Sequence, residues 1–372
     1  MKVLVTGGAG FIGSHLVDAL LAEGHEVRVL DALDPQVHGR GERWPEYLAT
    51  DAERILGDVR DPDAVRRVLD GVEVVFHQAA AVGVGQSMYE IERYVSVNSL
   101  GAAVLLEAIA ARGGRVERMI VASSMSLYGE GAYLDEDGRA VHPRLRPETQ
   151  LERREWELRD EQGRVLRPVP TPETKPPLPT SVYAVTKRDH EELFLSVGAA
   201  YRIPTIALRY FNVYGSRQAL SNPYTGVAAI FSSRLLNGSP PLVNEDGAQS
   251  RDFVHVSDIV QANLLAMRCS ADEGRVYNVG TGRPTTVCQV AEWLAARLGL
   301  DVEPQITRRF RAGDIRHCYA DIELARRELG YAPRVRFEDD GLDELIAFVR
   351  EQQPEDHVER ATEELLKRGL AR

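Results

Sequence analysis

Short apolar runs alternate with stretches of helical periodicity over the first 200 positions. Lys2-Val-Leu-Val-Thr6 predicts a buried strand, Phe11 to Ala22 a helix, and Glu26-Val-Arg-Val-Leu-Asp31 a second strand. Further strands are expected at 54–57, 73–77 and 118–122, with helices at about 61–70 and 88–112 between them. Strands and helices alternating in this way specify an α/β protein with a doubly wound parallel sheet. Helical spacing returns at 181–200 and 227–237, and 355–372 reads as a polar helix. The expected division is 1–200, interrupted by an insertion at about 131–180; then 201–350, with some segments returning to the first domain; then a tail, 351–372.

The turn between the first strand and helix is Thr6-Gly-Gly-Ala-Gly-Phe-Ile-Gly13. Gly7, Gly10 and Gly13, with Phe11 and Ile12 beginning the helix, form a bare backbone that lets a pyrophosphate approach the positive helix end. The plainer reading is a tight turn without a ligand. Asp31 weighs against it by closing the second strand 18 positions after Gly13. A carboxylate there accepts from ribose hydroxyls and repels a 2′-phosphate, so NAD is expected rather than NADP, despite Arg40 and Arg43 in the next loop. Asp58 and Val59 follow a strand and are candidates for adenine contact. Ala79, Ala80 and Ala81 follow another, with small side chains where backbone must pass the cofactor. His77 is expected to be packed rather than catalytic.

Tyr183 and Lys187 fall one turn apart on the predicted helix 181–200. A phenol with a reference pKa of about 10 is a poor base at neutral pH, and a nearby ammonium stabilises its phenolate. Ser124, at the exit of the fifth strand, can complete a Ser/Tyr/Lys proton path, with Ser123 and Ser126 as rivals. A dinucleotide loop followed by this triad points to hydride chemistry on an alcohol or ketone.

Composition narrows the setting. The chain has 372 residues and 44% hydrophobic residues, enough for a large core. Its apolar runs are too short to cross a membrane, which takes about 20 residues. A net charge of −11 argues against a general nucleic-acid surface. Cys269, Cys288 and Cys318 are widely spaced, so buried reduced thiols, no metal site and a cytoplasmic location are expected.

Together these motifs resemble the extended short-chain dehydrogenase/reductase family, especially its NAD-dependent nucleotide-sugar epimerases and dehydratases. The resemblance runs from Lys2 to about Phe348 and includes Gly57-Asp-Val-Arg-Asp61, Asn98, Arg209-Tyr-Phe-Asn-Val-Tyr-Gly215, Arg251-Asp-Phe-Val-His-Val256 and Arg311-Ala-Gly-Asp314. It implies a Rossmann domain with a smaller α/β substrate-binding domain. It also implies Tyr183 as acid/base, Lys187 as its electrostatic partner and Ser124 as partner of the substrate hydroxyl. Asn98, Ser123 and Tyr210, with Phe211, would sit near the cofactor. Gln86, Ser126, Asn212, Arg251 and Arg311 would meet a nucleotide-diphosphate sugar, and Asp314 its ribose. The plainer readings are surface ion pairs, Arg251 with Asp252 and Arg311 with Asp314. The resemblance further implies a homodimer, formed through the helices at 88–112 and 181–201.

Dehydratases of the family carry Asp-Glu after the serine; Met125 and Ser126 stand here, neither suited to removing a C5 proton. A 4-epimerase is the expected activity, on a dTDP-6-deoxyhexose or, as the alternative, on a UDP-hexose or UDP-hexuronate, with a net dehydrogenase and a non-catalytic NAD sensor as rivals. Ser124 and Tyr183 are 59 positions apart, an interval wide for the family. The inserted stretch holds eight of the chain's 19 prolines and a local echo, Asp135-Glu-Asp-Gly-Arg139 and Asp160-Glu-Gln-Gly-Arg164, which predicts two hairpins or irregular turns. A lid over the substrate and an exposed decoration are both open readings of it. With Gln86-Ser-Met88 and Leu220-Ser-Asn-Pro-Tyr-Thr-Gly226, it resembles the dTDP-L-rhamnose 4-epimerase branch more than the UDP-galactose one.

Overall fold

The computed structural model describes residues 1–113, 115–270 and 273–372. Seven parallel strands form the central sheet: β1 (Lys2–Thr6), β2 (Glu26–Asp31), β3 (Glu53–Leu56), β4 (Val74–His77), β5 (Arg118–Ser124), β6 (Thr205–Tyr210) and β7 (Arg275–Val279). Their order is β7-β6-β5-β4-β1-β2-β3, so the winding reverses between β1 and β4. Such a switch point opens a crevice at the carboxyl ends of the strands. Val5 lies between Val29 and Phe76, all fully buried, because helices cover both faces of the sheet.

Five helices matter for the site: α1 (Phe11–Ala22), α2 (Val84–Ser87), α3 (Val182–Tyr201), α4 (Val227–Leu236) and α5 (Val358–Lys367). The Ser181 hydroxyl caps α3 by accepting from the Ala184 N–H at 3.1 Å. Phe194 of α3 is fully buried in the apolar layer that includes Val121 of β5 and Leu105. A smaller sheet, Asn212–Tyr214, Ser250–His255 and Pro284–Thr286 with His317–Cys318, carries the far wall of the crevice.

The helix expected over 88–112 is a broken one. It begins with α2, resumes at Ile91–Tyr94, widens into a π-helical stretch at Val95–Leu100 and ends as Gly101–Ala110. An added residue in the wide turn presents Asn98 to two partners described below, something periodicity alone does not encode. The cysteines also depart from expectation. Cys318 is buried, but Cys269 and Cys288 are half-buried because they sit at helix ends; all three are free.

The insertion folds into a three-stranded antiparallel sheet with Ala132–Leu134 between Ala140–Val141 and Arg167–Val169. Its two echoes make the same turn. In each, the glycine N–H reaches the leading Asp carbonyl (Gly138 to Asp135, 3.1 Å; Gly163 to Asp160, 2.9 Å), and the Asp carboxylate accepts from the closing Arg N–H at 2.8 Å. Gly138 and Gly163 have φ of 77° and 81°, a region that favours glycine. No described helix is long and apolar enough to cross a membrane.

Candidate active site

A cleft of about 700 Å³ opens at the switch point, and its lining includes Gly7, Asp31, Ala79, Ser124 and Tyr210 from the ends of five strands or just beyond. A methyl group on Gly7 would lie 2.7 Å from the Ala79 nitrogen, and one on Gly13 would collide with the Gly7 carbonyl. Gly10, Phe11 and Ile12 line the same floor, as do Asp58, Val59, Ala80 and Ala81. This bare backbone at the start of α1 fits a dinucleotide pyrophosphate.

Asp31 faces the cleft while holding the loop. Its carboxylate accepts from the Ala9 N–H at 3.0 Å and the Leu33 N–H at 2.9 Å. Arg60 and Arg93 also border this end of the cleft, and both are paired, Arg60 with Asp58 and Arg93 with Asp34 and Glu90. A carboxylate at the end of β2, with these guanidinium groups neutralised, suits a ribose carrying free hydroxyls, as in NAD.

Tyr183 and Lys187 lie on one face of α3, both buried. The Tyr183 backbone N–H donates to Ser87 Oγ at 3.0 Å, which ties α3 to α2. Burial pushes the Tyr183 phenol up to about 12, with the Ser124 hydroxyl pulling the other way. Lys187 Nζ donates to the Ala122 carbonyl at 2.9 Å, and burial draws its ammonium down to about 7. Both shifts have one cause, since a desolvated site disfavours the charged form of each group. A phenolate and an ammonium formed together would relieve both.

The buried ammonium costs stability. Lys187 has a folded pKa below its unfolded value, so the native state binds fewer protons, and stability rises with pH from about 7 toward the unfolded value of about 10.4. Lys187→Met is therefore expected to stabilise the cofactor-free protein by about 1–3 kcal/mol at pH 7 and to abolish activity. The gain in urea unfolding should shrink as pH rises toward 10; a variant less stable than wild type at pH 7 would contradict this.

The three serines separate clearly. Ser123 Oγ donates to Glu191 at 2.8 Å, away from the reacting end, although Ser123 still borders the cleft. Ser124 Oγ accepts from Ser126 N–H at 3.1 Å and from Ser126 Oγ at 2.9 Å. Its own proton is left for Tyr183 or a ligand, so Ser126 supports Ser124 rather than replacing it. Tyr210 lines the cleft with its hydroxyl held by Asn263 and Gln78, and Phe211 lies beside it.

Two expected contacts are corrected. Asn98 is fully buried behind the cleft: its oxygen accepts from Ala81 N–H at 2.7 Å, and its nitrogen donates to the Ala81 carbonyl and to Thr186 Oγ1. It joins the loop after β4 to α3 and does not touch the cleft. Gln86 also turns away, bonded to Gln36, Glu90 and the Tyr94 hydroxyl, because its position on α2 faces the protein interior. His77 is packed as expected, stacked on Phe194 with Nδ1 2.9 Å from Thr6 Oγ1.

At the other end, Asn212, Arg251, Arg311 and Asp314 all line the cleft. Arg251 does not pair with Asp252. Its guanidinium donates to the carbonyls of Ser250, Ile315 and Arg316 at 2.7–2.9 Å, while Asp252 accepts from Thr281 and Gly282. Arg311 does pair with Asp314, at 2.8 Å. The buried Asn212 Oδ1 has no protein partner, an acceptor left over for a ligand. Sequence reasoning missed Gln218 and Gln249, each with a buried unpartnered oxygen. It also missed the tail: Val358, Ala361, Thr362 and Leu365 line the cleft. Their spacing, one face of a helix, was the available signal.

Of the insertion at about 131–180, Thr180 at its end lines the cleft, and none from 131 to 179 does among the described residues. The insertion packs behind the 308–318 segment instead: buried Arg146 meets Glu245 through two bonds of 2.9 Å, and buried Arg316 donates to Glu157, Glu245 and Asp246.

The model of the NAD dependent epimerase/dehydratase family matches residues 3–149 and 162–280. A dTDP-L-rhamnose 4-epimerase of Burkholderia thailandensis is 36% identical over 94% of this chain and 95% of its own length. A UDP-glucose 4-epimerase of Thermotoga maritima, solved with UDP-glucose, superposes with a TM-score of 0.77 at 34% identity, covering 94% of this chain and 99% of that one. The Thermus thermophilus UDP-glucose 4-epimerase, solved with NAD, gives 0.73 at 34% identity, with the same coverage. With a glycine-floored cleft, a carboxylate at the end of β2 and a Ser/Tyr/Lys cluster already in place, the chain belongs to the NAD-dependent epimerase/dehydratase family.

Proposed function

We propose that the protein is a nucleotide-sugar 4-epimerase acting on a dTDP-6-deoxyhexose such as dTDP-L-rhamnose. The observation that carries the reaction class is the Ser124/Tyr183/Lys187 cluster followed by Met125 and Ser126, which offer no carboxylate for dehydration. The 36% identity to a dTDP-L-rhamnose 4-epimerase over nearly the whole chain supports the substrate.

NAD bound along the glycine floor supplies a hydride acceptor that gives back what it takes. Tyr183, assisted by Lys187, removes the proton of the sugar 4-hydroxyl, directly or through Ser124. Asn212, Arg251 and Arg311 hold the nucleotide and diphosphate, so the 4-keto sugar can turn over while staying tethered. Tyr183 then returns its proton to the O4 of the other epimer. The test is incubation with dTDP-, UDP- and GDP-sugars and separation of the 4-epimers. The 4-epimer of a dTDP-6-deoxyhexose, with almost no net NADH, is expected; stoichiometric NADH would instead mark a dehydrogenase.

A homodimer forms part of this proposal. Ile91, Val95, Leu100 and Val185 are large apolar side chains exposed on the two helical segments expected to pair. Leu100→Glu should convert the dimer to monomer in light scattering, and a wild-type monomer would remove the idea. Three free thiols accord with the reducing cytoplasm as its place.

A further inference from the structure

The tail has a surface that folding alone does not use. Residues 358, 361, 362 and 365 fall on one face of α5, and that face forms part of the cleft wall rather than a separate core. Ala361 and Leu365 are buried there, whereas Glu359 and Glu363 on other faces stand in solvent. The helix is fastened at both ends. Before it, Asp356 meets Arg234 of α4 at 3.1 Å, and the Pro354 carbonyl accepts from Asn237. Beyond it, Arg368 lies 4.5 Å from the centre of the Tyr89 ring.

The last residues complete the crossing. Phe310 and Arg372 exchange two backbone bonds of 2.9 and 3.0 Å, and Ala312 N–H reaches the Leu370 carbonyl at 2.8 Å. Arg311, between them, is thus held in a strand pairing with the tail. Arg372 also pairs with Glu148 of the insertion. The tail therefore runs from α4 over the cleft to the Arg311 segment, where the insertion latches it.

The position of Leu365 identifies which part of the ligand it meets. A methyl group on Gly85 would sit 3.5 Å from Leu365 Cδ1, and Gly85 is two residues from Ser87, the acceptor of the Tyr183 N–H. Leu365 thus stands against α2, the short helix that abuts the start of α3, which carries Tyr183 and Lys187. The cleft face of α5 carries no cation, and the guanidinium groups around it are already paired, Arg368 with Glu364 and Arg93 with Asp34 and Glu90. Resting on the epimerase reading above, we propose that α5 roofs the sugar and that Leu365 is a specificity-determining residue. Its apolar wall admits a hexose with an uncharged C5 substituent and rejects a hexuronate, whose carboxylate would be desolvated there without a partner.

The test compares wild type, Leu365→Arg, Leu365→Ala and a chain ending at Gln353, each with bound NAD quantified. A dTDP-6-deoxyhexose and a UDP-hexuronate serve as substrates, and calorimetry measures the binding of each. Leu365→Arg should shift the ratio of kcat/KM between the two sugars toward the hexuronate by about tenfold or more. The shortened chain should raise KM for the 6-deoxyhexose by about tenfold or more, with a smaller change in kcat. A wild type that binds both sugars but turns over neither would remove the epimerase reading, while the binding ratio in Leu365→Arg would still test the roof. An unchanged ratio in Leu365→Arg, by turnover and by binding, overturns the proposal. Should the shortened chain fail to fold, the ratio in Leu365→Arg decides, with Leu365→Ala as the uncharged control that should leave it nearer to wild type.

Discussion

Tyr183→Phe is expected to lower kcat for 4-epimerisation by about a hundred- to ten-thousand-fold, with bound NAD and the fold retained. The change deletes one oxygen from a buried ring that packs edge-on against Tyr94 at 6.5 Å, so the cavity hardly alters. On the proposed mechanism, what disappears is the acceptor of the O4 proton. Ser124 cannot replace it, because a hydroxyl accepting two bonds from Ser126 has no base of its own. Chiral separation of products, alongside the ratio of NAD to protein, checks the prediction. Activity within tenfold of wild type would instead give the proton to another group.

Arg316→Ala carries the largest expected loss of stability, about 3–5 kcal/mol in urea unfolding. Its side chain is 1% exposed and binds Glu157, Glu245 and Asp246. Removing it leaves Glu245, 3% exposed, with Arg146 alone in a setting poor in water. Arg153→Ala provides the contrast: its pair with Glu155 lies in solvent and should change stability by less than about 0.5 kcal/mol. The cluster also sets an acid limit. Glu157 is held down to about 2, first by its bond to His317 and further by Arg316, against the cost of burial. Its contribution is therefore complete above the unfolded carboxyl value of about 4.3 and is lost as pH falls toward 2. An Arg316→Ala protein as stable as Arg153→Ala would show the cluster to be decoration.

Local chemistry was legible in the chain, and long-range closure was not. The glycine loop, Asp31, and Tyr183 with Lys187 fall together at the cleft because the placement of each depends on a turn, a strand end or one helical repeat. The twin turns of the insertion follow from Asp and Gly at fixed offsets. Asn98 and Gln86 look polar and available, yet both are spent on protein partners: Asn98 on residues 17 or more positions away, Gln86 on Gln36 as well as on nearby Glu90 and Tyr94. The pattern of α5 is visible as an amphipathic helix, but nothing local says that its apolar face meets a cleft instead of a core. For the same reason the insertion, adjacent in sequence to Ser124 and Tyr183, reads as a candidate lid, whereas its buried ion pairs tie it to Glu245 and Arg316.

The two backbone bonds made by Asp31 limit how the cofactor could be redesigned. Exchanging this carboxylate to welcome a phosphorylated ribose would also release the amides of Ala9 and Leu33, loosening the loop on which any dinucleotide must lie. An engineer seeking NADP use would have to rebuild both anchors with new acceptors before adding a positive charge. In this scaffold, changing coenzyme is a backbone problem first and an electrostatic one second.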